Sequence, residues 1–318
     1  MRDLLEMLGL YAVLALASTL PHGAALGAGR AIGRLLFRCG LRRRVSLENL
    51  ERAFGGAFDA PARRRIAARS YEHLGMTLVE LLRLGPAEAL AVRERLETHG
   101  VEHLHAALAR GRGAIVASAH YGNWEVLGAG AVACGLPVTF VVQRMRNRAA
   151  DSMLCRRRES AGVRVLERGM ALRRVREELG ANRLVSIMCD QDARRRGVFV
   201  PFFGVPASTH KGAAQLALRH DAPFIPAFGR RLPDGRHRML VYPPLEPPAG
   251  VDEEEAVLAL LTRFNQLLEE VIREEPQQYL WLHRRWKTAL RAASSSGPDA
   301  SSKATRAVRR GWIDPASR

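Results

Sequence analysis

From about residue 100, the chain alternates between short apolar runs and amphipathic segments, and this alternation restricts the fold more than any other feature. The runs 113–119 (GAIVASA), 137–143 (PVTFVVQ) and 183–192 (RLVSIMCDQD) have the length and composition of buried strands. The segments between them have helical spacing of their apolar residues. The pattern predicts an α/β fold whose central, largely parallel sheet is flanked by helices.

Other segments complete this predicted organisation. We expect helices in residues 30–99, a helix over 207–221, a β-hairpin around Pro233–Gly235, and a long helix over Glu253–Glu275 that ends at Pro276. Residues 30–290 are therefore predicted to form one domain, helical in 30–99 and α/β in 100–290. The Ser-, Ala- and Arg-rich residues 291–318 are predicted to be a disordered basic tail.

The N-terminal segment Met7–Gly29 contains no Asp, Glu, Lys or Arg. It is just long enough for a membrane-spanning helix, which needs about 20 apolar residues. A signal peptide and a core helix are alternatives, although Asp3 and Glu6 do not suit the basic start of a signal peptide. We favour a membrane anchor within residues 1–29. The arginines that follow it would keep that side in the cytoplasm: Arg30, Arg34, Arg38, Arg42, Arg43 and Arg44.

The net charge of +17 predicts an anionic partner. Basic and aromatic residues do not interleave as in single-strand binders, and no zinc-finger spacing occurs, so we expect no nucleic-acid partner. The four cysteines form no CxxC motif, which is typical of a reducing compartment. Anionic lipids or phosphorylated ligands therefore remain as expected partners at the cytoplasmic face of a membrane.

The stretch 113–128 (GAIVASAHYGNWEVLG) contains the best candidate for catalysis. Its strand ends at His120, Gly122 permits a tight turn, and Asn123 suits the start of a helix. Glu125 would then lie in the first helical turn, from which its carboxylate could bond the imidazole and strengthen it as a general base. This short pattern is common, and taken alone it favours a histidine with a purely structural role.

Three motifs occur in order along the chain, namely HYGNWE (120–125), DQDARRRGVFVPFFGVPAST (190–209) and WLHRRWK (281–287). In this order they resemble the lipid A biosynthesis acyltransferase family, within the lysophospholipid acyltransferase superfamily. The resemblance extends to about Lys287. It implies an O-acyltransferase that moves a fatty acyl chain from acyl carrier protein to a lipid A precursor at the inner membrane. It implies His120 as general base, Glu125 as its partner, and no acyl-enzyme, metal or other cofactor.

The resemblance also implies an arginine and an aspartate at the substrate. The arginine corresponds to Arg158 or Arg157, which would bind an acceptor phosphate, and the aspartate to Asp190 or Asp192. Asn123 and Arg195 are further candidate substrate-binding residues; Arg195 would contact a phosphate or the carrier protein.

Other residues are weaker candidates. Phe199 and Pro201–Gly204 are predicted to line an acyl channel, and Thr209–Lys211 form a possible anion site, although His210 alone is as easily a surface residue. His283 and Arg285 are predicted to be structural.

Two alternatives for function remain at this stage. The acceptor could be a lysophospholipid, a glycolipid or an aminolipid, because the motifs define the chemistry better than the acceptor. A non-enzymatic basic protein that binds membrane or nucleic acid would explain the charge but not the order of motifs.

Overall fold

The computed structural model describes residues 19–288, with the backbone alone for 170–173. Most of the predicted anchor, and all of the predicted tail, lie outside these residues. No helix within 19–288 is both long and apolar enough to cross a bilayer. Four helices lie within residues 22–94: α1 (His22–Arg38), α2 (Arg43–Phe54), α3 (Ala60–Arg83) and α4 (Pro86–Glu94).

The remaining helices and strands largely alternate, except that β5, β6 and β7 follow one another without an α-helix between them. The strands are β1 (Leu96–His99), β2 (Ala114–Ser118), β3 (Val138–Val142), β4 (Arg164–Glu167), β5 (Leu184–Met188), β6 (Val198–Phe202), β7 (Val205–Thr209), β8 (Phe224–Arg231) and β9 (His237–Val241). The helices are α5 (Glu102–Ala109), α6 (Trp124–Ala133), α7 (Arg148–Ser160), α8 (Ala171–Gly180), α9 (Gly212–Arg219) and α10 (Glu253–Glu274). The α/β fold with helices flanking a mostly parallel sheet is thus confirmed.

The main sheet has seven strands in the order β1-β9-β8-β2-β5-β3-β4. Strands β8, β2, β5, β3 and β4 are parallel, and the predicted hairpin makes β9 antiparallel to β8. Strand β1, which lies before residue 100, pairs with β9 in parallel. Because β2 and β5 are central neighbours, the residues that follow them meet at one edge of the sheet.

Side chains of the central strands alternate between two hydrophobic clusters. In β2, Ile115 and Ala117 pack in one cluster, whereas Ala114 and Val116 pack in the other. This is the two-residue period of a strand that is covered on both faces. It explains why these strands are continuous apolar runs in the sequence.

The predicted helix over 207–221 is wrong in its first part. Val205–Thr209 form β7, which pairs with β6 in a second, two-stranded sheet, and the helix begins only at Gly212. The turn between the strands consists of Phe203 and Gly204, both with positive φ. Two such residues are the usual connection of a tight hairpin, and this turn draws 205–209 into extended pairing.

Candidate active site

A cavity of about 510 Å³ lies at the carboxyl edge of the central strands. It is lined by His120 after β2, by Gln191 after β5 and by Gln143 after β3. The carboxyl ends of parallel strands are where α/β folds place their ligands. The cavity therefore lies where the fold predicts a binding site, and the histidine chosen from the sequence is in its wall.

His120 is held by Asp190. The two side chains form a 2.8 Å hydrogen bond between His120 Nδ1 and Asp190 Oδ1, and the backbone N–H of His120 donates to Asp190 Oδ2 at 2.9 Å. The side chains are 16% and 3% exposed. No described residue bonds His120 Nε2, so the imidazole turns one nitrogen to the aspartate and keeps the other free. This arrangement fixes the tautomer of the ring.

The electrostatics favour a basic imidazole. Burial lowers the pKa of His120, but the charge and hydrogen bond of Asp190, together with the charge of Glu125, raise it by more, so the net pKa lies above the usual 6.5. Burial raises the pKa of Asp190, but its bonds to His120 lower it overall. The aspartate thus remains ionised in a buried place and supports a positive charge on the ring.

The segment that follows α10 supports the turn 120–123 through backbone hydrogen bonds. Leu280 donates its backbone N–H to the His120 carbonyl, and Gly122 donates to the Gln278 carbonyl, each at 3.0 Å. Gly122 has φ of 62°, and a side chain there would collide with the Gly229 carbonyl. Tyr279, whose hydroxyl pKa is raised by burial and by Asp190, lies beside the aspartate. Tyr279 was not predicted to lie at the site, because nothing in its local sequence pattern indicates a role.

Glu125 is not the hydrogen-bond partner of His120, and this part of the prediction is wrong. Its carboxylate accepts two hydrogen bonds from Arg158, at 2.8 Å from Nε and 2.7 Å from Nη2. The predicted position in the first turn of α6 is correct. From there, however, the carboxylate reaches α7 and forms a bidentate ion pair with the guanidinium, a stronger bond than a neutral imidazole would supply. Asp190 occupies the place at Nδ1 instead.

Arg158 is therefore the arginine of the run 156–158 that enters the site. Glu125 raises its pKa against the lowering effect of burial, and both residues line the cavity. Arg157 is half-buried at the end of the same helix and does not line the cavity. The edge of the Trp124 ring packs against the imidazole with ring centroids 4.8 Å apart, which joins the two charged pairs across the cavity wall.

Asn123 serves the helix rather than the cavity. Its side-chain oxygen accepts from the N–H groups of Glu125 and Val126, and its amide donates to Glu80 at 2.5 Å. With both ends bonded and 1% exposure, it cannot reach a ligand as predicted for a substrate-binding residue. It starts α6 and so places Glu125.

Glu80 belongs to a second buried group of charges. Its carboxylate pairs with the guanidinium of Arg231, and His237 Nε2 lies 3.1 Å from its Oε1. Burial raises the pKa of Glu80, but Arg231 and His237 lower it far more. None of the three lines the cavity. This group ties α3, β8 and β9 to Asn123 at the start of α6.

Asp192 and the WLHRRWK motif are structural here. Asp192 accepts hydrogen bonds from Thr288 and from the Arg194 N–H, and its own N–H donates to His283 Nε2. Arg285 is buried and donates to the Ser208 carbonyl and to Thr209. The choice between the two aspartates thus falls on Asp190, and the structural interpretation of His283 and Arg285 agrees with these contacts.

Arg195 does not line the cavity, whereas Arg196 does. The turn 194–196 is a single 3₁₀ turn, and it directs neighbouring arginines to different sides. Phe202 and Phe203 do not line the cavity either. They pack with Tyr279, Trp281 and Trp286 in an aromatic cluster. Phe199, Pro201 and Gly204 do not line the cavity, so the acyl channel predicted for Phe199 and Pro201–Gly204 is wrong for this cavity.

Two further cations line the cavity, of which the sequence predicted one. Lys211, in the anion site predicted at 209–211, lines it, and so does Arg168 after β4. Arg168 lies 3.1 Å from His210 Nδ1, and together with burial it lowers the pKa of His210 to about 4. The sequence does not single out Arg168, because it follows a short strand in a region of many arginines. Only the order of the strands in the sheet brings it to this edge.

Apolar side chains form another part of the cavity wall, with Val141, Ile187 and Leu216 among them. A smaller apolar cavity of about 40 Å³ lies beside it, between α6 and the sheet. Trp124, Phe140 and Met188 line both. The site thus combines a buried histidine, several cations and a group of apolar side chains.

Comparison with known proteins decides the family. Residues 2–288 match the profile of the bacterial lipid A biosynthesis acyltransferases. The chain belongs to this family. It is 31% identical over 281 residues to the lipid A biosynthesis lauroyltransferase of Escherichia coli, an alignment that covers 87% of this chain and 89% of that protein.

Two other members show the range of acceptors among similar proteins. The lipid A biosynthesis palmitoleoyltransferase of Escherichia coli is 29% identical over 274 residues, which cover 85% of this chain and 87% of that protein. The phosphatidylinositol mannoside acyltransferase of Mycolicibacterium smegmatis is 33% identical over 189 residues, 58% of this chain and 62% of its own length. This lipid A acyltransferase family member is accordingly an enzyme that transfers acyl groups, with lipid-type substrates. A purely non-enzymatic basic binding protein is thereby set aside.

Proposed function

We propose that the protein transfers a fatty acyl chain from an acyl carrier protein thioester to a hydroxyl group of a lipid A precursor. The observation that carries this proposal is the free Nε2 of His120 at the cavity, with Nδ1 bonded to Asp190. We place the reaction at the cytoplasmic face of the inner membrane, where an acyl carrier protein and a lipid acceptor would meet.

In this scheme His120 Nε2 takes the proton from the acceptor hydroxyl as its oxygen attacks the thioester carbonyl. The tetrahedral intermediate collapses, the C–S bond breaks, and the carrier thiolate leaves and takes the proton back from the imidazolium. Asp190 stabilises that imidazolium, which general-base catalysis forms transiently. No acyl-enzyme is required, and the thioester is itself activated, so the scheme needs neither metal nor other cofactor.

We assign two roles to the charged residues of the cavity wall. Glu125 and Arg158 fix one another and shape the cavity wall next to His120. We assign the phosphate of the acceptor to Arg168, Arg196 and Lys211, since these cations line the cavity and none of them forms an ion pair with a carboxylate of the described residues. Arg158 keeps free N–H groups on its fork and can contribute to the same anion.

We assign the apolar interior to the acyl chain. Val141, Ile187 and Leu216 line the main cavity, and the smaller cavity extends it under Trp124. Burying each methylene there contributes about 0.8 kcal/mol, so the apolar wall would favour a long-chain donor.

A glycolipid acceptor is the second candidate, supported by the similarity to the phosphatidylinositol mannoside acyltransferase. Lysophospholipid and aminolipid acceptors are further candidates that the same experiment tests. The deciding measurement incubates the purified enzyme with acyl carrier proteins of several chain lengths and with each acceptor, and it identifies the products by mass spectrometry. Acylated lipid A precursor is the expected product; exclusive acylation of another acceptor would contradict the proposed substrate.

His120→Ala tests the base in the same assay. We expect kcat to fall by about 10²–10⁴ because the general base is removed. The matched control is His105→Ala, an exposed histidine on α5 away from the cavity, which should keep the wild-type rate. Equal rates for both variants would exclude His120 as the base.

A further inference from the structure

Two exposed leucines lie at the corner between α1 and α2, and the backbone of this corner is bonded to a buried side chain. Leu35 and Leu41 are 60% and 50% exposed, among the few large apolar side chains that the described residues leave in solvent. The Tyr71 hydroxyl donates to the Leu41 carbonyl, and Arg42 has φ of 50°. Tyr71 is buried, so the corner projects outward from a rigid contact and is not a loose loop.

A groove of about 600 Å³ runs next to this corner, between α2 and α3. Its walls include Arg43 and Arg64, whose guanidinium carbons lie 5.8 and 5.5 Å from the centre of the Phe37 ring. Stacking on one buried ring holds the two cations beside each other. Leu47 contributes apolar surface to the same groove.

The charge of this groove is only partly neutralised. Arg44 pairs with Glu48 at 2.7 Å, and Arg63 pairs with Glu51 at 3.5 Å. No carboxylate of residues 19–288 forms an ion pair with Arg43 or Arg64. Two adjacent guanidinium groups without counter-charges, next to exposed leucines, have the chemistry of a surface that meets anionic headgroups and the start of the acyl region.

We propose that the α1–α2 corner docks the protein onto an anionic phospholipid bilayer. Arg43 and Arg64 bind headgroup phosphates over Phe37, while Leu35 and Leu41 enter the interface. The exposed apolar side chains are aliphatic, which suits a bilayer better than stacked nucleic-acid bases. This docking surface is separate from the cavity and does not depend on residues 1–18, so it would act in addition to any anchor there.

The test is binding of the full-length protein to vesicles of phosphatidylcholine with and without phosphatidylglycerol. Arg43→Ser/Arg64→Ser should weaken binding to the anionic vesicles roughly 30-fold, from about 1 kcal/mol for each basic residue near the surface. Leu35→Ser/Leu41→Ser should weaken it at least tenfold, from the apolar burial that is lost. The matched control is Leu90→Ser/Arg93→Ser on α4, which removes an equally exposed leucine and an exposed arginine elsewhere.

The outcomes separate this proposal from the proposed enzymatic function. His120→Ala should bind vesicles like the wild type, and the corner variants should keep their rate on detergent-dispersed substrates. Wild-type vesicle affinity in both corner variants, or an equal loss in the α4 control, would overturn the docking surface. Loss of affinity for an acidic carrier protein, with vesicle binding unchanged, would also overturn it and would make the corner a protein-binding site.

Discussion

Two buried histidines in this fold are each paired with a carboxylate, yet they differ in what they can do. His120 bonds Asp190 through Nδ1 and keeps Nε2 at the cavity. His237 bonds Glu80 through Nε2 in a group completed by Arg231, away from the cavity. The pairing alone therefore does not mark a catalytic histidine. The distinguishing feature is that the second ring nitrogen of His120 has access to a cavity. Variants of the His120 group should therefore change activity, and variants of the His237 group should change stability.

The largest effect on stability is expected for Glu80→Ala. The substitution leaves the Arg231 guanidinium buried without its partner, which should lower the free energy of unfolding by about 3–5 kcal/mol. Urea denaturation followed by circular dichroism measures this change. Glu94→Ala, at an exposed position of α4, is the control and should stay within about 0.5 kcal/mol of the wild type. A Glu80→Ala loss as small as that of the control would mean that the buried group does not stabilise the fold.

Arg158→Ala should have the next largest effect, because it removes the partner of a carboxylate that lines the cavity. We expect a loss of about 2–3 kcal/mol in the free energy of unfolding, together with reduced activity. Arg157→Ala, one residue away on α7, provides the matched comparison and should change stability by no more than about 0.5 kcal/mol. Equal losses of unfolding free energy in the two variants would show that the bidentate ion pair with Glu125 does not stabilise the fold.

His237→Gln should have the smallest effect, and only on stability. It keeps a polar side chain next to Glu80, so a loss of about 1–2 kcal/mol is expected from the altered hydrogen bonding. Below its unfolding temperature, the variant should retain kcat within about twofold, whereas His120→Ala should be folded but nearly inactive. A large fall in kcat for His237→Gln at full folding would break the distinction between the two histidines.

The sequence predicted the parallel sheet, the hairpin at 233–235 and the turn that presents His120, because these depend on local apolar patterns and turn residues. It predicted the wrong partner for that histidine. Asp190 lies 70 residues further along the chain, and only the adjacency of β2 and β5 brings it to Nδ1. Glu125 was near in sequence but faces α7. Contacts set by strand order cannot be deduced from spacing along the chain.

The same reason explains the residues that were missed. Arg168 reaches the cavity because β4 lies at the edge of the sheet beside β3, and Tyr279 reaches Asp190 because the segment after α10 returns to the turn 120–123. For the run 194–196, the sequence predicts the charge but not the direction of each side chain. Its composition indicates positive charge, but the 3₁₀ turn decides that Arg196, and not Arg195, lines the cavity.

The central claim is that Asp190 makes His120 a stronger base, and the pH dependence of kcat/KM tests it most directly. In the proposed mechanism, activity needs the neutral imidazole, so the rate should rise as pH rises through the pKa of His120, which Asp190 and Glu125 together hold above 6.5. In Asp190→Asn the carboxylate is gone while burial still lowers the pKa, so the residual activity should rise at a lower pH than in the wild type. A wild-type midpoint at or below 6.5, or an unchanged midpoint in Asp190→Asn, would contradict this account.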